Sequence, residues 1–150
     1  MDDTQININL KDINAHTVCE ICDLSVNDFQ KQFVAPNAVS IAQAHYSKHA
    51  WFRAIYANQT PIGFVMIYDD AKTASYDLWR YMIDKKFQNK GFGYRAMVLV
   101  IEHIKKRPNA TVLTTSVLEK EGSPQKFYEK LGFVLTGEYK DNEAIMALTF

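Results

Sequence analysis

The 150 residues, 47% hydrophobic and 23% charged, suit one folded domain over residues 1–150 that needs no disulfide or metal to hold it together. Seventeen basic and seventeen acidic residues give a formal net charge of +0, which excludes the broad positive field that duplex nucleic acid demands. No apolar run approaches the roughly 20 residues of a membrane span, the acidic start Met1-Asp2-Asp3-Thr4 is not that of a secretory signal, and two cysteines make no disulfide scaffold, so a reducing, cytoplasmic setting is expected.

From the N-terminus, Gln5 to Leu10 alternates polar and apolar residues and predicts a strand. Asn14 can cap a helix from about Ala15 to Asp23. Within it Val18, Cys19, Ile21, Cys22 and Leu24 fit a buried face, so the Cys19-x-x-Cys22 spacing reads as packing rather than a metal or redox pair. The histidines show no metal spacing, and no metal is expected. Ser25 to Val34 is irregular or helical. After the break at Ala35-Pro36, Asn37 is a candidate cap for a short helix through Val39, Ile41, Ala42 and His45.

Trp51 to Tyr56 and Ile62 to Tyr68 predict a hairpin around Ala57-Asn58-Gln59-Thr60-Pro61. Asp69 to Thr73 turns the chain into a third strand, Tyr76 to Asp84. A helix follows from Tyr94 to Lys106, with Met97, Val98, Val100, Ile101 and Ile104 as its apolar stripe and Pro108 as its stop. Ala110 to Val117 predicts a buried strand. Strand, helix and strand form a β-α-β crossover, so the strand of Leu78 and that of Val117 should be parallel neighbours. Ser123 to Leu131 predicts a helix closed by Gly132. Phe133 to Tyr139 and Ala144 to Thr149 make a last hairpin around Asp141-Asn142-Glu143. The expected fold is mixed α/β: a central, mostly antiparallel sheet with one β-α-β crossover and flanking helices.

Between the third strand and the long helix runs Gln88-Asn89-Lys90-Gly91-Phe92-Gly93-Tyr94-Arg95. A glycine turn at a helix N-terminus leaves backbone N–H groups without partners and suits a phosphate or pyrophosphate. The spacing Q-x-x-G-x-G is neither the dinucleotide loop nor the G-x-x-x-x-G-K-[ST] nucleotide loop. About thirty residues on comes Tyr128-Glu129-Lys130-Leu131-Gly132-Phe133, or Y-x-x-x-G-F, at the end of a helix.

These two motifs, in this order and setting over residues 76–139, resemble the GNAT superfamily of N-acetyltransferases. The resemblance implies acetyl-coenzyme A as donor. Amides from Gln88 and Asn89 through Lys90, Gly91, Phe92, Gly93, Tyr94 and Arg95 would then meet its pyrophosphate. One or two of the side chains of Lys86, Lys90 and Arg95 would add charge. Met82 and Ile83 would pair with the pantetheine arm as an extra strand. Relatives carry an asparagine where this chain has Glu121 and an alanine at Pro124, which leaves one cofactor contact open. Members of the superfamily are often homodimers.

The same resemblance assigns Tyr128 as the acid that protonates the departing thiolate. An attacking amine must first be neutral, which calls for a base. Related polyamine enzymes carry a carboxylate where this chain has Trp79. Asp77 lies on the same face by strand alternation and is the candidate replacement. Leu78 to Asp84 and Gln32 to Asn37 look most like bacterial spermine/spermidine (diamine) N-acetyltransferases, implying a small amine acceptor. A cationic acceptor would want acidic and aromatic walls. Asp28, Asp69, Asp70, Asp77, Trp51, Tyr76 and Trp79 are the candidates. A protein N-terminus or amino-sugar acceptor, or a module that senses acetyl-coenzyme A without turning it over, are the alternatives.

Overall fold

The computed structural model describes residues 5–150; Met1 to Thr4, on which the secretory-signal reading rests, lie outside them. Seven strands form one sheet: β1 (Ile8–Lys11), β2 (Ala50–Ala57), β3 (Thr60–Asp70), β4 (Ser75–Ile83), β5 (Val112–Val117), β6 (Val134–Lys140) and β7 (Glu143–Thr149). Their order is β1-β2-β3-β4-β5-β7-β6. Every neighbouring pair is antiparallel except β4 with β5. That one parallel pair follows from the crossover helix between them, because a strand that returns through a helix arrives in the same direction.

The helices are α1 (Val18–Asp23), α2 (Asn37–His45), α3 (Phe92–Lys105) and α4 (Gln125–Lys130). One face of the sheet buries Val65, Ile67, Leu78 and Ile83 against Phe92, Ala96, Met97, Val100, Ile101 and Ile104 of α3. Ile21 of α1 and Ala44 of α2 pack with Phe64, Met66 and Met82 on the other. Among the described residues, no helix is long and apolar enough to cross a membrane.

Several local expectations change. α1 begins at Val18 rather than Ala15. Asn14 accepts from the amides of His16 and Thr17, and this local bonding holds Ala15–Thr17 in a turn. Only Ile21 of α1 is buried; Cys19 is exposed and Cys22 half-buried. In α2 the buried side is Asn37, Ser40 and Ala44, while Val39 faces out. Asn37 is not the cap. Pro36 holds that position, and the buried Asn37 amide donates to the Ile21 carbonyl at 2.8 Å, joining α2 to α1. Val98 of the predicted α3 stripe is also exposed.

β4 carries an extra residue relative to β3: Met66 lies opposite Arg80 and Ile67 opposite Leu78, leaving Trp79 without a partner. Such a bulge flips the alternation. Leu78 packs on the α3 side before it and Ile83 after it, although one residue is even and the other odd. Gly63 lies against β4 where any side chain would collide, because an added Cβ would stand 2.4 Å from the Met82 carbonyl oxygen.

Behind the sheet, His103 of α3 stacks on Trp51 with ring centres 4.2 Å apart, and the Arg53 guanidinium also lies over that indole. Burial holds the His103 imidazole below its ordinary 6.5. A lowered histidine pKa means that the unfolded chain takes up the proton first, so stability is full above the ordinary value and falls as pH drops through the folded one. Urea midpoints should therefore fall between pH 8 and pH 5 by less in His103→Phe than in wild type, by about one titrating group.

Candidate active site

β4 and β5 share one registered pair, Asp77 with Thr114. Side-chain hydroxyls complete the junction: Thr114 donates to the Asp77 carboxylate at 2.7 Å, and Thr115 donates to the Leu78 carbonyl at 3.3 Å. Beyond this point the strands separate and open a cleft of about 1310 Å³. Its walls bring together Asp77, Tyr81, Gln88, Gly93 and Tyr128, which are far apart in sequence.

The loop at one end is built on Asp84. Its carboxylate is buried and accepts from the amides of Ser25 (2.8 Å) and Lys86 (3.0 Å), while its own amide donates to Ile62 at 2.7 Å. Gln88 turns its side chain inward: its amide nitrogen donates to the Ile83 carbonyl and to Gln30, each at 2.9 Å. Asn89 (φ 62°) and Gly91 (φ 82°) are left-handed on either side of the exposed Lys90. Gly91 caps α3 without a side-chain bond. Alternation of left- and right-handed residues makes a concavity of amides that suits an anion. Gly93 lines the cleft, and any Cβ there would already touch Ile83 and Phe127.

The sequence-predicted residues divide by what their side chains do. Gln88, Asn89 and Gly93 line the cleft. The Phe92 ring is buried in the core, so only its backbone can serve a ligand. The Arg95 guanidinium donates to the Ile6 carbonyl, away from the loop. Lys86, Lys90 and Tyr94 are exposed. Met82 and Ile83 both line the cleft but differ in backbone direction. Because the Asp84 amide points to Ile62 in β3, strand alternation aims the Met82 backbone at β3 as well and turns that of Tyr81 and Ile83 to the cleft. Sequence reading missed Tyr81, since a bulge and a bonding parity are not visible in residue types.

Tyr128 is buried at the centre of an aromatic group, edge-on to Phe127 and Phe133. Phe127 in turn stacks on Tyr81, whose hydroxyl donates to the Gly93 carbonyl at 2.6 Å. Burial pushes the Tyr128 phenol well above its ordinary 10, opposed by the nearby Thr115 hydroxyl and reinforced by the charge of Asp77. Burial also lifts the Asp77 carboxyl, opposed by the Thr114 hydrogen bond.

Of the residues proposed as amine walls, Asp77 and Trp79 lie in the cleft. The others are placed elsewhere. Tyr76 is a core residue whose hydroxyl donates to the Pro108 carbonyl. Trp51 stacks on His103. Asp69 pairs with Arg107, Asp28 with Lys31, and Asp70 accepts from the Lys72 amide in a turn. The missed acids are Glu138, Asp141 and Glu143 of the β6–β7 hairpin, which line the cleft near Asp77 together with Arg80 and Lys140. Glu121 does not line it, whereas Pro124 does.

A model of the acetyltransferase (GNAT) family matches residues 18–133. The chain is 27% identical over 146 residues to spermine/spermidine N(1)-acetyltransferase of Bacillus subtilis (strain 168), covering 91% of this chain and 94% of that one. The fold is similar to that of a domain from Methanocaldococcus jannaschii DSM 2661, with a TM-score of 0.79 at 16% identity over 97% of this chain and 100% of the other. It is also similar to the PaiA N-acetyltransferase from Thermoplasma acidophilum in complex with coenzyme A, with a TM-score of 0.69 at 16% identity over 96% and 99%.

Proposed function

Because the chain belongs to the acetyltransferase (GNAT) family, and is thereby an N-acetyltransferase, we propose that it moves acetyl from acetyl-coenzyme A to a small diamine or polyamine by direct attack in the cleft between β4 and β5. The observation that carries this reading is that one cleft is lined together by the loop residues Gln88, Asn89 and Gly93, by Tyr128, and by the acids Asp77, Glu138, Asp141 and Glu143.

The residues present fit the donor. The Asn89–Gly93 turn and the positive end of α3 suit its pyrophosphate. The Tyr81 backbone and the Ile83 amide give its extended arm an edge to pair with, the Ile83 carbonyl being held by Gln88. The bound donor supplies an acyl thioester; the rest falls to the protein. Asp77 takes a proton from the acceptor ammonium, directly or through water, and its raised pKa suits it to that work. Tyr128 gives its hydroxyl proton to the departing sulfur. A buried phenol holds that proton at neutral pH.

Glu138, Asp141 and Glu143 suit an acceptor with a second positive charge, and Trp79 adds an aromatic face. The similarity to the Bacillus enzyme points the same way. Thiol release from acetyl-coenzyme A should be followed with spermidine, spermine, diaminobutane, a peptide N-terminus and an aminoglycoside. The expected order places the polyamines first by kcat/KM. A preference for the peptide or the aminoglycoside would transfer the assignment to them. Binding of the donor with no thiol release from any amine would make the protein a sensor.

A further inference from the structure

Gln30 ends a single 3-10 turn, Asp28–Gln30, between α1 and α2. Its side chain meets that of Gln88, 58 positions away, in a reciprocal amide pair. Gln30 Nε2 donates to Gln88 Oε1 at 3.1 Å, and Gln88 Nε2 donates to Gln30 Oε1 at 2.9 Å. Both residues are half-buried in the cleft wall.

Backbone groups fix which end of each amide is which. The Ile83 carbonyl accepts from Gln88 at 2.9 Å, so the Gln88 nitrogen must face it. The Asn27 amide donates to Gln30 Oε1 at 3.0 Å, so the Gln30 oxygen must face that amide. A carbonyl only accepts and an N–H only donates, so neither side chain can flip without opposing two like groups. The Asn27 side chain closes the cluster, donating to Gln88 Oε1 and to Gln30 Oε1 at 3.3 Å each. Gln88 is thus held on one side by its own strand and on the other by the turn. The residue after it, Asn89, is the left-handed start of the amide concavity.

We propose that Gln30 is a positioning residue for the donor: it holds the Gln88 side chain and so presets the Asn89–Gly93 loop in its anion-binding shape. The inference rests on that loop being the seat of acetyl-coenzyme A. A loop that must be ordered at each binding event lowers affinity by the fraction of molecules already in the competent shape. The charged groups near the pair do not compete for it. Asp28 and Lys31 of the same turn bind each other at 2.9 Å in solvent, and the Asp84 carboxylate is occupied by the Ser25 and Lys86 amides.

The test measures Kd for acetyl-coenzyme A by calorimetry in Gln30→Ala, Gln88→Ala, the double variant and Gln30→Glu, with a thermal melt for each and kcat at saturating donor. Gln30→Ala should raise Kd roughly 5- to 50-fold with kcat within about threefold of wild type. Because Gln30 acts through Gln88, the double variant should bind no more weakly than Gln88→Ala alone. Gln30→Glu keeps the shape but sets an oxygen against Gln88 Oε1. Its protonated form regains a donor there, so its Kd relative to wild type should fall between pH 8 and pH 5.

An unchanged Kd in Gln30→Ala would overturn the proposal. So would additive losses in the double variant, which would mean that Gln30 touches the donor itself, or a pH-independent loss in Gln30→Glu, which is a packing effect. The two ideas separate in the wild type. If it does not bind acetyl-coenzyme A, the donor reading fails and this inference with it; if it binds and Gln30→Ala binds equally well, only the role of Gln30 fails.

Discussion

Tyr128→Phe should lower kcat about 10²- to 10⁴-fold while leaving KM for acetyl-coenzyme A within about threefold, the signature of a lost general acid. The substitution removes one hydroxyl from a buried ring whose packing against Phe127 and Phe133 stays intact. Thr115 keeps its bond to the Leu78 carbonyl, so no buried donor is orphaned. Folding should therefore be nearly unaffected and the loss confined to the proton transfer. Steady-state kinetics with the preferred amine, together with a thermal melt, checks this. Equal losses of turnover and of donor affinity would mark Tyr128 as a structural residue of α4 instead.

Asp84→Ala is expected to act on stability and donor binding together. The carboxylate receives two backbone amides from different parts of the chain, Ser25 after α1 and Lys86 beneath the anion loop. Alanine leaves both without a partner. Each orphaned donor costs about 1–3 kcal/mol, so a loss of roughly 2–6 kcal/mol follows for the two. For a protein of this size that lowers Tm by about 4–24 °C. The anion loop starts at this residue, so KM for acetyl-coenzyme A should rise by a larger factor than kcat falls. A melting temperature within a degree or so of wild type would show that neither amide depends on Asp84.

The sheet order around the crossover could be read from residue patterns, because a strand, a helix stopped by Pro108 and a second strand leave few ways to connect. The loop was equally legible, since glycine spacing at a helix start is a local feature. What could not be read depends on contacts between distant residues. Strand alternation put Asp77 beside Trp79, and both do line the cleft. The same rule fails one residue later, where the bulge at Trp79 reverses the faces of β4. Tyr81, whose backbone faces the cleft, is accordingly absent from the sequence candidates. Arg95 looked like a phosphate ligand by proximity in sequence, but its guanidinium reaches Ile6, 89 positions away.

The acceptor end was the least legible. Of the acids that residue type and position suggest, Asp69, Asp70 and Asp28 are each engaged elsewhere. Glu138, Asp141 and Glu143 come from the last hairpin, which β7 brings alongside β5 only after the whole chain has folded. The inward turn of Gln88 is similar. As the first residue of the motif it looked like a ligand contact, yet its side chain binds Gln30 and the Ile83 carbonyl and so sets the position of the loop.

Calorimetric titration of acetyl-coenzyme A into the wild-type protein addresses the root of this reading, because the loop, the strand edge and Tyr128 are all assigned through the donor. Saturable one-to-one binding at micromolar to submillimolar concentration is predicted, within the ordinary range for an enzyme and its substrate. Absence of binding at millimolar ligand would contradict it, whatever the acceptor.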